Sequence, residues 1–340
     1  MTVEIRTVEK ADEWNQFVSS RPEANFLQAW QWGDFHQARG KKIVRRGVYK
    51  KDKLVAVYTG VVETARRGTH LAIAGGPLVD WHDKELVDAL VADMRKQGLA
   101  LGCVFVRVRP QYERSPESLA LFAKLGFKKA PMYLSVELAG VLDLHKSEEE
   151  ILKGMRQRLR RALRKAEKNN ISVETSTDPA DIKEFYDIQL QTARRHEFVS
   201  FSEDFLTKQF AAFAATGNAV LYTARYEGQI LAQNFMLFYG NEASYHYGVS
   251  TELGTKLSGA PLLHMQAMRD ARERGIGRYN FWGIVEEDET EHRFYGVSVF
   301  KRGFGVDELR YVPAHDLVLK PLAYKLTALV ESTRRKHRKV

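Results

Sequence analysis

Between Lys153 and Lys168 eight cationic side chains, Lys153, Arg156, Arg158, Arg160, Arg161, Arg164, Lys165 and Lys168, occupy one side of a segment whose apolar residues recur at helical spacing. Only Glu167 lies nearby to offset them, so the face repels itself unless an anion binds, and a phosphate-rich partner fits that chemistry. Other reactive groupings are thinner. The ten histidines are scattered, and no His-x-x-x-His or Cys-x-x-Cys pair occurs. His196, His246, His264 and His292 read as surface or core-edge residues, and no metal is expected. Neither a Gly-x-Ser-x-Gly elbow nor a Gly-x-x-x-x-Gly-Lys-Ser/Thr phosphate loop is present, which removes support from hydrolase and nucleotide-triphosphatase chemistry. A pyrophosphate cradle of the Arg/Gln-x-x-Gly-x-Gly/Ala type would fall in STELGTKLSGAPLLH or GGPLVDWHDKELV, and neither has the spacing. Gly254 and Gly259 leave room for a loop that admits a ligand, but no cofactor is expected. The Phe300-Lys301 pair, on spacing alone, is a solvated lysine beside a core phenylalanine in a strand.

These residues need a scaffold, and 340 residues exceed one ordinary core and suit two domains. With 44% hydrophobic and 28% charged residues the chain should fold, and its net charge of +9 favours an anionic partner. Cys103, the only cysteine, sits in the apolar run CVFVRV as a buried thiol, in keeping with a reducing cytoplasm. No signal peptide or membrane-spanning run is legible. The hairpin pattern VRRGVYKKDKLVAVYTGVVE returns as VLYTARYEGQILAQNFMLFY, and each copy is followed by a strand, a helix ended by Gly98 or Gly275, a strand, a Gly-Phe pair and a final strand. That order resembles the GCN5-related acetyltransferase fold. The expected class is α/β (α+β), two tandem GCN5-related N-acetyltransferase-like domains over 1–145 and 146–340. A basic helix over 147–170 opens the second domain, with a Ser147/Glu150 capping box and a stop at Asn169-Asn170.

The segments YNFWGI (279–284), Phe300-Lys301, Gly303-Phe304, DLVLKPLAYK (316–325), LQAWQWGDFHQARG (27–40) and the Arg-rich linking helix together resemble the Fem family of peptidoglycan bridge-forming aminoacyltransferases. The chain looks like a short form, lacking the coiled-coil arm of longer members. The resemblance implies transfer of an amino acid from aminoacyl-tRNA to the stem peptide of a peptidoglycan precursor, UDP-MurNAc-pentapeptide or lipid II. It implies Lys301 as the charge beside the developing oxyanion and Phe300 as a wall that excludes water. Thr192, Arg194 and His36 would hold the acceptor diphosphate, with Phe198 where the family resembles a tyrosine and His36 where it resembles a lysine. Tyr247 and Trp282 would line the acceptor channel, and Arg160, Arg161 and Arg164 would meet tRNA. Asn280 stands in place of the commoner aspartate. A cytoplasmic monomer, at the inner face of the membrane if it touches anionic lipid, is the expected setting. A CoA-dependent N-acyltransferase of the same fold, aminoacyl transfer to a protein N-terminus or lipid headgroup, and a non-catalytic RNA-binding protein are the alternatives.

Overall fold

Each half of the chain leads with a strand and two helices before a three-stranded meander. In the computed structural model, which describes residues 3–65, 68–196 and 200–338, the first half runs β1 (Val3–Thr7), α1 (Ala11–Ser19), α2 (Trp30–Ala38), β2 (Ile43–Lys50), β3 (Lys53–Ala65), β4 (Gly68–Gly75), α3 (Lys84–Ala100), β5 (Phe105–Pro110), α4 (Pro116–Lys124), β6 (Phe127–Lys129) and β7 (Leu138–Asp143). Two linking helices follow, α5 (Glu148–Gly154) and α6 (Gln157–Lys168). The second half then runs β8 (Ser172–Ser176), α7 (Ile182–His196), α8 (Glu203–Ala214), β9 (Ala219–Tyr226), β10 (Gln229–Tyr239), β11 (Glu242–Ser250), α9 (Glu252–Leu257), α10 (Gly259–Glu273), β12 (Arg278–Gly283), α11 (Tyr295–Arg302), β13 (Asp307–Arg310), β14 (His315–Val318) and α12 (Pro321–Arg338).

The repeat read from the sequence extends to its turns. Lys50 pairs with Lys53 and Tyr226 with Gln229, so both hairpins close with two residues. Those residues have positive φ in each case, Lys51 and Asp52 at 48° and 59°, Glu227 and Gly228 at 48° and 77°. That conformation matches the right-handed twist of the flanking strands.

Among the described residues the strands form two seven-stranded sheets, ordered β1-β2-β3-β4-β5-β14-β6 and β8-β9-β10-β11-β12-β7-β13. The orders correspond position by position, but each sheet takes its sixth strand from the other half's end. β14 runs antiparallel between β5 and β6, and β7 runs antiparallel to β12. The compact units are therefore not contiguous stretches cut at 145. One comprises Met1–Leu138, Glu287–Arg293 and Leu309–Val340, and the other Ala139–Glu286 and Phe294–Glu308. The physical reason is that each sheet's interior position needs a partner on both edges, and the terminal strand that supplies it comes from across the repeat.

In the first unit Tyr58, Leu71, Ile73, Leu90, Val106 and Phe122 form a core that also takes in Leu317 from β14. In the second, Tyr222, Phe238, Leu263, Met268, Tyr279 and Phe281 do the same. No helix among the described residues is long and apolar enough to cross a membrane.

The expected single helix over 147–170 is two. The capping box forms, with Ser147 Oγ accepting from Glu150 N–H at 3.2 Å and Glu150 accepting from Ser147 N–H at 2.7 Å. Met155 and Arg156 then turn to extended backbone, and Arg156 N–H donates to Gly303 O at 2.8 Å. The helix breaks because the Gly303–Gly305 turn packs there: a Cβ on Gly305 would stand 2.5 Å from Gly154 O.

Candidate active site

In the second unit β11 and β12 are parallel, but they pair only from Glu242 with Arg278 to Ser244 with Asn280. Beyond that point both strands continue, so they diverge and leave a wedge whose backbone groups are not in the ladder. Two irregularities cause this. β11 bulges at His246, since Tyr247 faces Phe235 while Tyr245 faces Met236. β12 breaks register after Asn280 and resumes at Gly283 with Ala139 of β7 as its partner. Between them Trp282 adopts a left-handed φ of 65°, held by Asn280 Oδ1 accepting from Trp282 N–H at 2.7 Å. A bulky residue in that conformation carries strain of about 1 to 3 kcal/mol, a cost found mostly at functional sites. Asn280, expected only to lack a carboxylate, makes the turn.

The first unit has the same parallel pair, β4 with β5, but zipped over six positions from His70 with Phe105 to Gly75 with Pro110. Its outer end is filled by the chain itself. Gln28 donates to Thr59 O at 3.2 Å and Ala74 O at 2.7 Å and accepts from Thr59 N–H at 2.8 Å, while Asn25 donates to Gly75 O at 2.9 Å. The wedge of the second unit is thus the one available to a ligand among these two pairs.

Lys301 reaches the wedge from α11, a helix rather than the strand that spacing suggested. It is 7% exposed, and its Nζ donates to Gly283 O at 2.7 Å and lies 5.5 Å from the centre of the Tyr245 ring. The ammonium is therefore fixed between the ends of the two diverging strands. Burial lowers its pKa to about 7. Phe300, beside it, packs edge-on against Phe304 at 5.3 Å and near the His264 ring at 5.6 Å, closing the wedge toward the core.

Of the histidines read as surface or core-edge residues, His246 is half-buried at the edge of the core, whereas His264 lies wholly inside it. His264, on α10, is fully buried, with Nδ1 2.8 Å from Tyr279 Oη and its ring 4.5 Å from that of Tyr245. Burial and the charge of Lys301 lower its pKa to about 3. His246 sits at the bulge, with Nε2 2.8 Å from Gln209 Nε2 and its ring 5.9 Å from Trp282; burial lowers its pKa to about 3 as well. Both rings are neutral at physiological pH, so Gln209 donates to His246 and the wedge carries one titrating cation, Lys301. The sequence signal was present in EASYHYGVS, where His246 follows Tyr245 in a strand, but a bulge has no sequence mark of its own.

Tyr247 and Trp282, expected to line a channel, flank His246 on opposite strands, and Tyr247 extends an aromatic rim to Phe201 at 5.3 Å. Thr192 lies on α7 with its hydroxyl donating to Ile188 O at 2.9 Å, bonded to its own helix. Arg194 is on the same helix, and Phe198 lies outside the described residues. His36 belongs to the first unit and is buried on α2 against Trp32 at 4.7 Å and Phe35 at 4.6 Å. Burial, Arg39 and Lys41 lower its pKa to about 3, so it brings no positive charge to a diphosphate. Arg160 plays a structural part, since it donates to Lys153 O at 2.9 Å and to Met155 O and so caps α5, while Arg161 and Arg164 are exposed on α6.

The place expected for a pyrophosphate loop is occupied by helix. α9 begins at Thr251, whose hydroxyl accepts from Gly254 N–H at 3.0 Å, and a Cβ on Gly254 would lie 1.8 Å from Leu231 O. Gly259 approaches Leu231 Cβ similarly, at 2.8 Å. These glycines serve close packing against β10, not a loop open to a ligand.

Two exchanged α/β repeats, one with a splayed parallel pair, define a tandem acetyltransferase-fold protein, and residues 153–301 match the acetyltransferase (GNAT) domain model. Within that class the resemblance to the Fem family is borne out, with residues 9–117 matching the FemAB family model. The chain is 21% identical to the lipid II:glycine glycyltransferase of Staphylococcus aureus (strain MRSA252), covering 94% of both chains. A crystal structure of FemX superposes with a TM-score of 0.85 at 20% identity, covering 95% of this chain and 99% of that one. A tandem GNAT protein from the clavulanic acid biosynthesis pathway gives 0.56 at 14% identity over 94% and 99%.

Proposed function

We propose that this chain is an aminoacyltransferase that moves an amino acid from aminoacyl-tRNA to the stem peptide of a peptidoglycan precursor, UDP-MurNAc-pentapeptide or lipid II, in the cytoplasm at or near the inner membrane face. The observation that carries the reading is the Lys301 ammonium, desolvated and held between the diverging ends of β11 and β12. The named activity of the glycyltransferase relative supports the reaction class.

An aminoacyl ester is already an activated acyl donor, so no covalent enzyme intermediate is needed. The stem-peptide amine attacks the ester carbonyl, forming the C–N bond and a tetrahedral oxyanion. Collapse breaks the C–O bond, and the proton lost by the amine ends on the departing ribose oxygen. Lys301 supplies a pre-placed charge beside the oxyanion, in a site where low polarity strengthens that interaction. Phe300 keeps water from the wedge, and Tyr247 and Trp282 guide the acceptor. Thr192 and Arg194 on α7 are assigned to the acceptor diphosphate, and Arg161 and Arg164 to tRNA.

Lys301→Ala should lower transfer at least a hundredfold, of the order found when one oxyanion donor is removed, with acceptor affinity nearly unchanged. Single-turnover transfer and acceptor titration on the same preparation measure both. Equal loss of affinity would make Lys301 an acceptor-holding residue. The CoA-dependent alternative has its own test, because thermal stabilisation by acetyl-CoA, and not by muropeptide or tRNA, would overturn the proposal; the packing of α9 at Gly254 argues against it.

A further inference from the structure

The last helix, α12, has its polarity inverted. Its inward side carries Tyr324, Thr327 and Glu331, at 8%, 4% and 3% exposure, and its outward side carries Leu322, Leu326, Leu329 and Val330, at 81%, 70%, 67% and 41%. The outward residues follow positions i, i+4, i+7 and i+8, a continuous stripe along one helical face. What holds the helix this way is polar. Arg107 on β5 donates to Asp316 at 2.7 and 2.8 Å and to Glu331 at 2.8 Å, and Tyr324 donates to Asp316 at 2.9 Å. The helix cannot roll its leucines inward without breaking that buried network.

We propose that the outer face of α12 is a membrane-docking surface that lies on an anionic lipid bilayer. Three observations select lipid over a protein partner. The stripe exposes on the order of 400 Å² of apolar side chain, the size of the largest patch on a typical soluble monomer, which is often a functional surface. It is about half of the ~800 Å² that each partner contributes to a standard interface, too little for a stable second copy. Its charge is one-sided: Glu331 is the only carboxylate of the helix and is turned inward, Lys325 is exposed beside the leucines, and the sequence continues Arg334-Arg335-Lys336-His337-Arg338. An apolar face with exposed Lys325 beside it, no outward acid on the helix and a basic run following in the sequence matches an interfacial helix, whose leucines enter the acyl chains while cations meet the headgroups. The inference stands on α12 alone and does not require the acceptor to be lipid-linked.

Vesicle flotation of the full chain tests it. With mixed phosphatidylglycerol and phosphatidylcholine vesicles the protein should float, and it should float poorly with phosphatidylcholine alone or at high salt. A triple variant, Leu322→Gln, Leu326→Gln and Leu329→Gln, should bind at least tenfold more weakly, and Lys325→Glu should weaken binding at low salt only. Both should unfold at nearly the same temperature as the parent and transfer to a soluble nucleotide-linked acceptor at its rate, so that failure of docking is separable from failure of the transferase reading. Flotation of the triple variant equal to the parent, no flotation of the parent, or equal flotation with neutral vesicles would overturn the proposal. A parent dimer in sedimentation equilibrium that the triple variant loses would also overturn it, in favour of a second copy.

Discussion

At the scale of single residues the decisive fact is how Lys301 is housed. A lysine whose folded pKa is lowered from 10.5 to about 7 destabilises the fold while it is charged. The penalty is fully present below pH 7 and disappears as pH rises from about 7 toward 10.5, because over that range the unfolded state keeps a proton that the native state has lost. Replacing Lys301 by Met, similar in length but uncharged, should raise stability by about 4 kcal/mol at pH 6 and leave it nearly unchanged at pH 10.5, while abolishing transfer. Urea melts at the two pH values read this directly; a gain independent of pH would mean that the ammonium is not desolvated. A charge held at a cost by Gly283 O is what the proposed oxyanion role requires. The same reasoning gives His36, buried and neutral beside Trp32, no cationic contribution to a diphosphate contact.

The linking helices show how an element can divide residues that a sequence treats as equivalent. Arg160, Arg161 and Arg164 lie in one basic run, yet Arg160 caps the carbonyls at the end of α5 while Arg161 and Arg164 remain exposed. Arg160→Met should therefore cost about 1 kcal/mol or more of stability through lost caps. Arg161→Glu with Arg164→Glu should leave the melting temperature unchanged and weaken tRNA binding with a shallower salt slope. Thermal melts and filter binding at two salt concentrations separate these effects. If Arg160→Met weakened tRNA binding as much as the double reversal without a change in stability, the capping assignment would be wrong. The strands make the same point: β4–β5 and β11–β12 are equivalent in the repeat, but Gln28 and Asn25 seal the first and two bulges open the second.

On the scale of the whole molecule the exchange of sixth strands makes the first unit dependent on the end of the chain. β14 sits inside its sheet, and Asp316 and Glu331 satisfy Arg107, whose side chain is 4% exposed. A fragment of residues 1–138 would leave that guanidinium buried without partners, a loss of about 3 to 5 kcal/mol, and two edges unpaired. It should show no cooperative unfolding transition by circular dichroism, and a peptide of residues 309–340 added in trans should restore one. A fragment that melts cooperatively alone would sink this account. In the intact chain Asp316→Ala should cost a similar amount for the same reason.

Much of this was legible in the linear sequence. The repeat, its hairpins, the capping box at Ser147 and the family motifs around Phe300-Lys301 depend on local chemistry: residue periodicity, turn residues with positive φ, and short-range hydrogen bonds. Tertiary structure alone decided which parallel pair opens, that Lys301 rises from a helix into the wedge, that Met155 and Arg156 break the linking helix, and that the final strands change places. Each of those depends on contacts between residues far apart in the chain, such as Gly303 with Arg156 and Asp316 with Arg107, whose pairing leaves no periodic trace in either segment.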